Sequence, residues 1–181
     1  GLCLVGSEMC IRDRTRRDPD AAAEFLGILT SRRNPERVLR LMNESGVLGR
    51  FLPDFGKIVA MMQFDMYHSY TVDEHTIKVI GVLHDIGTGR LAETAPVATS
   101  VMPEIESRLV LFIAALLHDI AKGRDGDHSE LGAELALELC PMLGLSQEET
   151  ETVSWLVRHH LLMSKTAVSY THLTLPTNCV V

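Results

Sequence analysis

Eight histidines punctuate this 181-residue chain, and most of them fall into one ordered series. The series is His75, His118-Asp119, Lys122, His128 and His159-His160, spaced at intervals that helices produce. Imidazole nitrogen with carboxylate oxygen suits Mn, Fe or Zn, and Mg where oxygen donors are more numerous. His118-Asp119 closes an apolar segment, where a charged Asp is costly unless a cation or partner compensates it. Lys122 follows Asp119 by three residues on the same helical face, within reach of an anionic group held there. His128 opens the next segment, and Gly132 one turn later permits close approach of another backbone or a ligand.

Other candidates carry less. His84-Asp85 repeats the His-Asp pair, but His84 lies nine residues after His75. Nine steps of about 100° put the two on opposite helix faces, so only one can face a site. Taken singly, His84 and His172 read as surface or hydrogen-bonded residues. His159 and His160 diverge by about 100°, so at most one need point inward. Tyr67, His68 and Tyr70 precede the His75 helix and either line a pocket, with His68 and Tyr70 touching substrate, or pack in the loop. Met61, Met62 and Met66 read as core filling. Asp125-Gly126-Asp127 lacks the later acids of a calcium loop and reads as a turn.

These residues must be positioned by helices. Asp18-Pro19-Asp20 and Asn34-Pro35-Glu36 each supply a capping side chain, a first-turn proline and an acid near the positive helix end. Ser146-Gln147-Glu148-Glu149 has the form of a capping box. Helices are predicted over about 71–90, 102–122 and 127–142, the second apolar on nearly every face and therefore central. No run alternates apolar and polar residues between turns, and nothing repeats. The reading is one all-α domain of six or seven helices over residues 18–167.

Length allows a single domain with a real core. The 24 acidic against 17 basic residues give a net charge of −7, which argues against DNA and anionic membrane as partners. The longest apolar run, Leu109 to Leu117, is too short to span a bilayer. Cys3, Cys10, Cys140 and Cys179 show no CxxC spacing, which fits a reducing cytoplasm better than a disulfide framework.

The order His…His-Asp-x-x-Lys…His…His resembles the HD phosphohydrolase superfamily. The stretches NPERVLRLMNESGVLGRFLPDFGKIVAMMQFDMYHSYTVDEHTIKVIGVLHDI, LLHDIAKGRDGDHSELGAELA and LGLSQEETETVSWLVRHHLLMSKTA are similar to the HD domain of bacterial bifunctional PII uridylyltransferase/uridylyl-removing enzymes. The resemblance implies an HD-domain helical bundle that removes UMP from a tyrosine of the signalling protein PII. It implies a nucleotidyltransferase domain and glutamine-sensing ACT domains elsewhere in a parent chain. It assigns His75, His118 and Asp119 to a first metal, with Asp119 able to bridge, and His128 with His159 or His160 to a second. Lys122 would face the scissile phosphoryl group. A divalent ion is implied, Mn or Mg foremost, with Fe or Zn compatible.

The family pattern closes on a further Asp, whereas this chain turns into VSYTHLTLPTNCVV. That tail (168–181) and the opening GLCLVGSEMCIRDR, within residues 1–17, resemble translated adapter sequence and are expected to be non-native. The first-metal site is therefore expected to lack one ligand. Two other functions fit the same residues: a non-catalytic metal- or nucleotide-binding fragment, and a phosphodiesterase acting on another nucleotide.

Overall fold

A computed structural model describes residues 18–62 and 70–166. Helix α1 (Pro19–Leu29) starts where the Asp18 carboxylate accepts from the Asp20 N–H, and α2 (Pro35–Glu44) where Asn34 accepts from the Arg37 N–H. Two short helices follow, α3 (Val47–Phe51) and α4 (Pro53–Gly56). Then come the long α5 (Val72–Gly87), the short α6 (Pro96–Val101) and a 3-10 turn at Met102–Glu104. The chain continues through α7 (Arg108–Leu117), α8 (His128–Met142) and α9 (Gln147–His159). Six of these helices have ten residues or more, which accounts for the six or seven expected from sequence. No strand forms among the described residues, only an isolated bridge between Met62 and Thr71.

The anticipated 102–122 helix is shorter at both ends. Pro103 falls in the 3-10 turn, and the Ser107 hydroxyl caps the Val110 N–H, so α7 begins at Arg108. Beyond Leu117 the chain turns, with Gly123 at a φ of 77° that a side chain would resist. His118, Asp119 and Lys122 therefore stand on a turn rather than on helix. The capping box is present as expected: Glu149 N–H donates to Ser146 Oγ at 3.2 Å, and Ser146 N–H to Glu149 Oε2 at 2.9 Å. Such a cap contributes about 1 kcal/mol.

Helix α7 is the central element. Phe112, Ile113, Leu116 and Leu117 are fully buried; α9, α5 and α1 pack against α7, while α2 packs on α5 and α8 on α9. Close approach of α8 depends on Gly132, where an added Cβ would come within 3.0 Å of Val157 Cγ1. Met61 packs against this core as anticipated, but Met62 is 62% exposed because it faces outward at the bridge. Met66 lies outside the described residues. None of the described helices is long and apolar enough to cross a membrane.

Candidate metal centre

Four helix ends meet at one end of the bundle. His75 lies in the first turn of α5, His118-Asp119 directly after α7, His128 at the start of α8, and His160 directly after α9. Asp119 is their common neighbour and is only 2% exposed. Its Oδ2 lies 3.2 Å from His118 Nε2 and 3.9 Å from His75 Nε2. Its Oδ1 lies 3.7 Å from both His128 Nε2 and His160 Nε2. The carboxylate thus presents one oxygen to each of two histidine pairs.

The rings are aimed by backbone. His118 Nδ1 is 2.8 Å from the Ala115 carbonyl and His160 Nδ1 is 2.7 Å from the Val157 carbonyl. A carbonyl only accepts, so each Nδ1 carries a proton, and in the neutral ring each Nε2 turns its lone pair to Asp119. His118 Nε2 also faces His75 Nε2 at 3.3 Å. Lone pairs and a carboxylate crowded this way call for a cation among them. His128 Nε2 and His160 Nε2 are buried with no hydrogen-bond partner, as donors kept for a metal would be.

Two sets, His75–His118–Asp119 and Asp119–His128–His160, each hold ligand atoms within 4.8 Å of one another. Donors about 2.1 Å from a shared ion sit roughly 3.0–3.5 Å apart, so modest contraction brings either set to bonding geometry. The residues present fit a divalent ion in either set, with Asp119 common to both. Among the described residues each set supplies three protein donors.

Electrostatics favour the ionised carboxylate. Burial alone would raise the Asp119 pKa, but His118 and the Lys122 ammonium, 2.7 Å away, outweigh it and hold the carboxyl well below the usual range. Burial lowers the pKa of His160, which favours the neutral form that binds metal.

The two adjacent histidines part as helix geometry requires. His160 enters the cluster, whereas His159 is exposed, its ring 4.9 Å from that of Trp155. Tyr70 is 50% exposed with Lys78 Nζ over its ring, while Tyr67, His68 and His172 lie outside the described residues. His84 is turned away from His75 as expected. It is not a surface or hydrogen-bonded residue, however: it is 1% exposed, and neither ring nitrogen has a partner.

Two supports were not anticipated. Asp73, buried on α5, accepts from Asn43 Nδ2 at 2.7 Å and from the Ala60 N–H at 3.2 Å, which ties the start of the His75 helix to α2. Arg124 donates to Asp54 at 2.7 Å, pinning the turn that carries Asp119 and Lys122 to α4. An acid two residues before His75 and an arginine two after Lys122 were the available signals.

Comparison with known proteins agrees with this architecture. The HD domain family profile matches residues 89–179, and the profile of the uridylyltransferase GlnD third domain matches residues 3–51. His75 falls between the two, and both matches run into the terminal segments expected to be non-native. The chain is 64% identical over 152 residues to a bifunctional uridylyltransferase/uridylyl-removing enzyme of Novosphingobium aromaticivorans, covering 84% of this chain and 17% of that protein. It is 61% identical over 166 residues to the enzyme of the same name from Rhodospirillum rubrum, covering 92% of this chain and 18% of that protein. For that of Azospirillum brasilense the identity is 60% over 166 residues, covering 92% and 17%. The chain thus spans under a fifth of the length of these relatives. The first match alone spans half of the sequence, with the His118-Asp119 pair inside it, and the chain belongs to the HD-domain family.

Proposed function

We propose that the chain is the metal-dependent phosphodiester hydrolase module of a uridylyltransferase/uridylyl-removing enzyme, removing UMP from a uridylylated tyrosine of the PII signalling protein. The observation that carries the reading is the Asp119 carboxylate set between two histidine pairs with Lys122 on its edge. His75, His118 and Asp119 would hold one ion, and Asp119, His128 and His160 a second. Mn or Mg is the foremost choice, with Fe or Zn compatible with the imidazole-rich donor set. When bound, such an ion supplies positive charge against phosphoryl oxygens and lowers the pKa of water.

The chain's own residues do the rest. Lys122 places an ammonium where negative charge grows on the phosphoryl group. His118 and His160 keep fixed tautomers through their carbonyl partners, so little reorganisation is needed when substrate arrives. The departing tyrosinate, from a phenol of pKa about 10, leaves more readily than an alkoxide. Nucleotidyltransferase and ACT domains are the expected neighbours in the parent chain.

The test is release of UMP from uridylylated PII by the Mn-loaded chain, beside Asp119→Asn. UMP release by the first and none by the second is expected. Equal release by both would overturn the metal-site reading, and cleavage of cyclic dinucleotides in place of uridylylated PII would overturn the substrate.

A further inference from the structure

A second polar site lies at the other end of the same two helices. His75 begins α5 and Gly87 ends it; Arg108 begins α7 and His118 follows its end. With 1.5 Å of rise per residue, this places Gly87 and Arg108 about 15–18 Å from the metal centre. There, Gly87, Thr99 and Arg108, with Ile86, Met102 and Ile105, line a cavity of about 390 Å³.

The guanidinium of Arg108 is held in place but not neutralised. Its Nε donates to the Thr30 carbonyl at 3.4 Å, and its Cζ lies 4.2 Å from the centre of the Phe112 ring. No carboxylate among the described residues pairs with it; the charge bearing on it is the like charge of Arg32. Its Nη2 and the Thr99 hydroxyl are both buried without a hydrogen-bond partner. Gly87 is what lets it fit, since a Cβ there would come within 2.6 Å of Arg108 Nη1. In a chain of net charge −7, two uncompensated arginines beside unpartnered donors are not a generic surface.

We propose that this cavity binds a small organic oxyanion, a carboxylate or a phosphate carried on an apolar body, remote from the metal centre. Arg108 offers a planar fork matched to such an oxyanion, the Thr99 hydroxyl adds a donor, and Ile86, Met102 and Ile105 take the apolar part. The cavity volume lies in the range of small-molecule sites rather than of protein docking faces. The site is separate from the hydrolytic reading and stands without it.

The test uses the whole chain, stripped of metal with EDTA so that anions cannot collect at the histidines. Backbone amide shifts are followed by NMR as inorganic phosphate, phenyl phosphate or benzoate is added. Saturable shifts at Gly87, Gly89 and Thr99 are expected, stronger for the two aromatic anions than for inorganic phosphate. A preference for phenyl phosphate over benzoate assigns a phosphoryl ligand, and the reverse a carboxylate. Arg108→Gln should weaken binding by roughly tenfold to a hundredfold. Arg32→Gln, at an exposed position, should weaken it by a smaller factor with the fold intact. If Arg108→Gln does not fold, Arg32→Gln and Thr99→Val decide. No saturable shift with any probe, shifts confined to the His75 and His118 region, or binding unchanged in the variants would overturn the proposal.

Discussion

The Nζ of Lys122 lies 2.7 Å from Asp119 Oδ2, the oxygen that also faces His75 and His118. A cation of the chain is thus held on the first-metal side of the carboxylate, while Oδ1 is left to His128 and His160. Lys122 and Asp119 therefore separate in their expected effects. Lys122→Ala should keep metal in both sets and lower the hydrolysis rate by about 10²–10³-fold, the usual cost of a lost transition-state donor. Asp119→Asn should lose metal as well. Elemental analysis beside single-turnover rates distinguishes them; equal metal loss in both variants would show that Lys122 acts only through the fold.

His160 and His159 form a built-in control. His160→Gln removes a donor aimed by the Val157 carbonyl, and bound metal should fall to one ion or fewer per chain. His159→Gln removes only a ring lying beside Trp155 and should leave metal content unchanged. Titration with Mn, followed by electron paramagnetic resonance, counts the ions. Metal lost in His159→Gln and kept in His160→Gln would mean that the assignment between the two is reversed.

What was legible in the sequence was mostly local. Asp18, Asn34 and Ser146 mark helix starts because a cap is a contact between residues two or three apart. The opposite faces of His75 and His84 followed from helix rotation alone, but the depth at which His84 sits did not. The 102–122 segment reads as one long helix because its apolar pattern masks the breaks at Pro103 and Ser107. The clamp of Asp54 on Arg124 and the cavity under Arg108 join residues tens of positions apart, which no single-sequence period reports. The same holds for the choice between His159 and His160, which waits on where α9 ends.

Glycine pairs set another long-range constraint. A Cβ on Gly49 would lie 2.9 Å from the Gly56 Cα, backbone that cannot swing aside. Gly49→Ala should therefore destabilise the fold by about 1–3 kcal/mol. Gly27, inside α1, meets nothing within 4 Å, and Gly27→Ala should stabilise by up to about 1 kcal/mol. Urea denaturation of the two variants checks the opposite signs.

Acid should weaken the clamp under the metal turn. Burial alone would raise the Asp54 pKa, but hydrogen bonds from Lys57 and Arg124 outweigh it and leave it lowered. A depressed folded-state pKa gives stability that is present above the unfolded value of about 3.9 and is lost as pH falls through the folded one. The unfolding midpoint should consequently drop more steeply below about pH 4 in the parent than in Asp54→Asn. Parallel acid limbs in the two proteins would show that the clamp does not form in solution.

Cys140 provides the alkaline counterpart. It is buried on α8, and burial, reinforced by Glu149, pushes its thiol pKa up to about 12. A pKa raised on folding contributes stability that is complete below the unfolded value, about 8.5, and is lost as pH climbs toward the folded one. Stability should thus fall with a slope of up to about 1.4 kcal/mol per pH unit above pH 8.5, and Cys140→Ala should flatten that limb. The same burial keeps the thiolate scarce, so Cys140 should resist maleimide at pH 8 until denaturant is added. Peptide mapping after timed labelling measures this directly. Rapid modification of Cys140 in the native protein would mean that α8 opens locally, and with it the helix that presents His128.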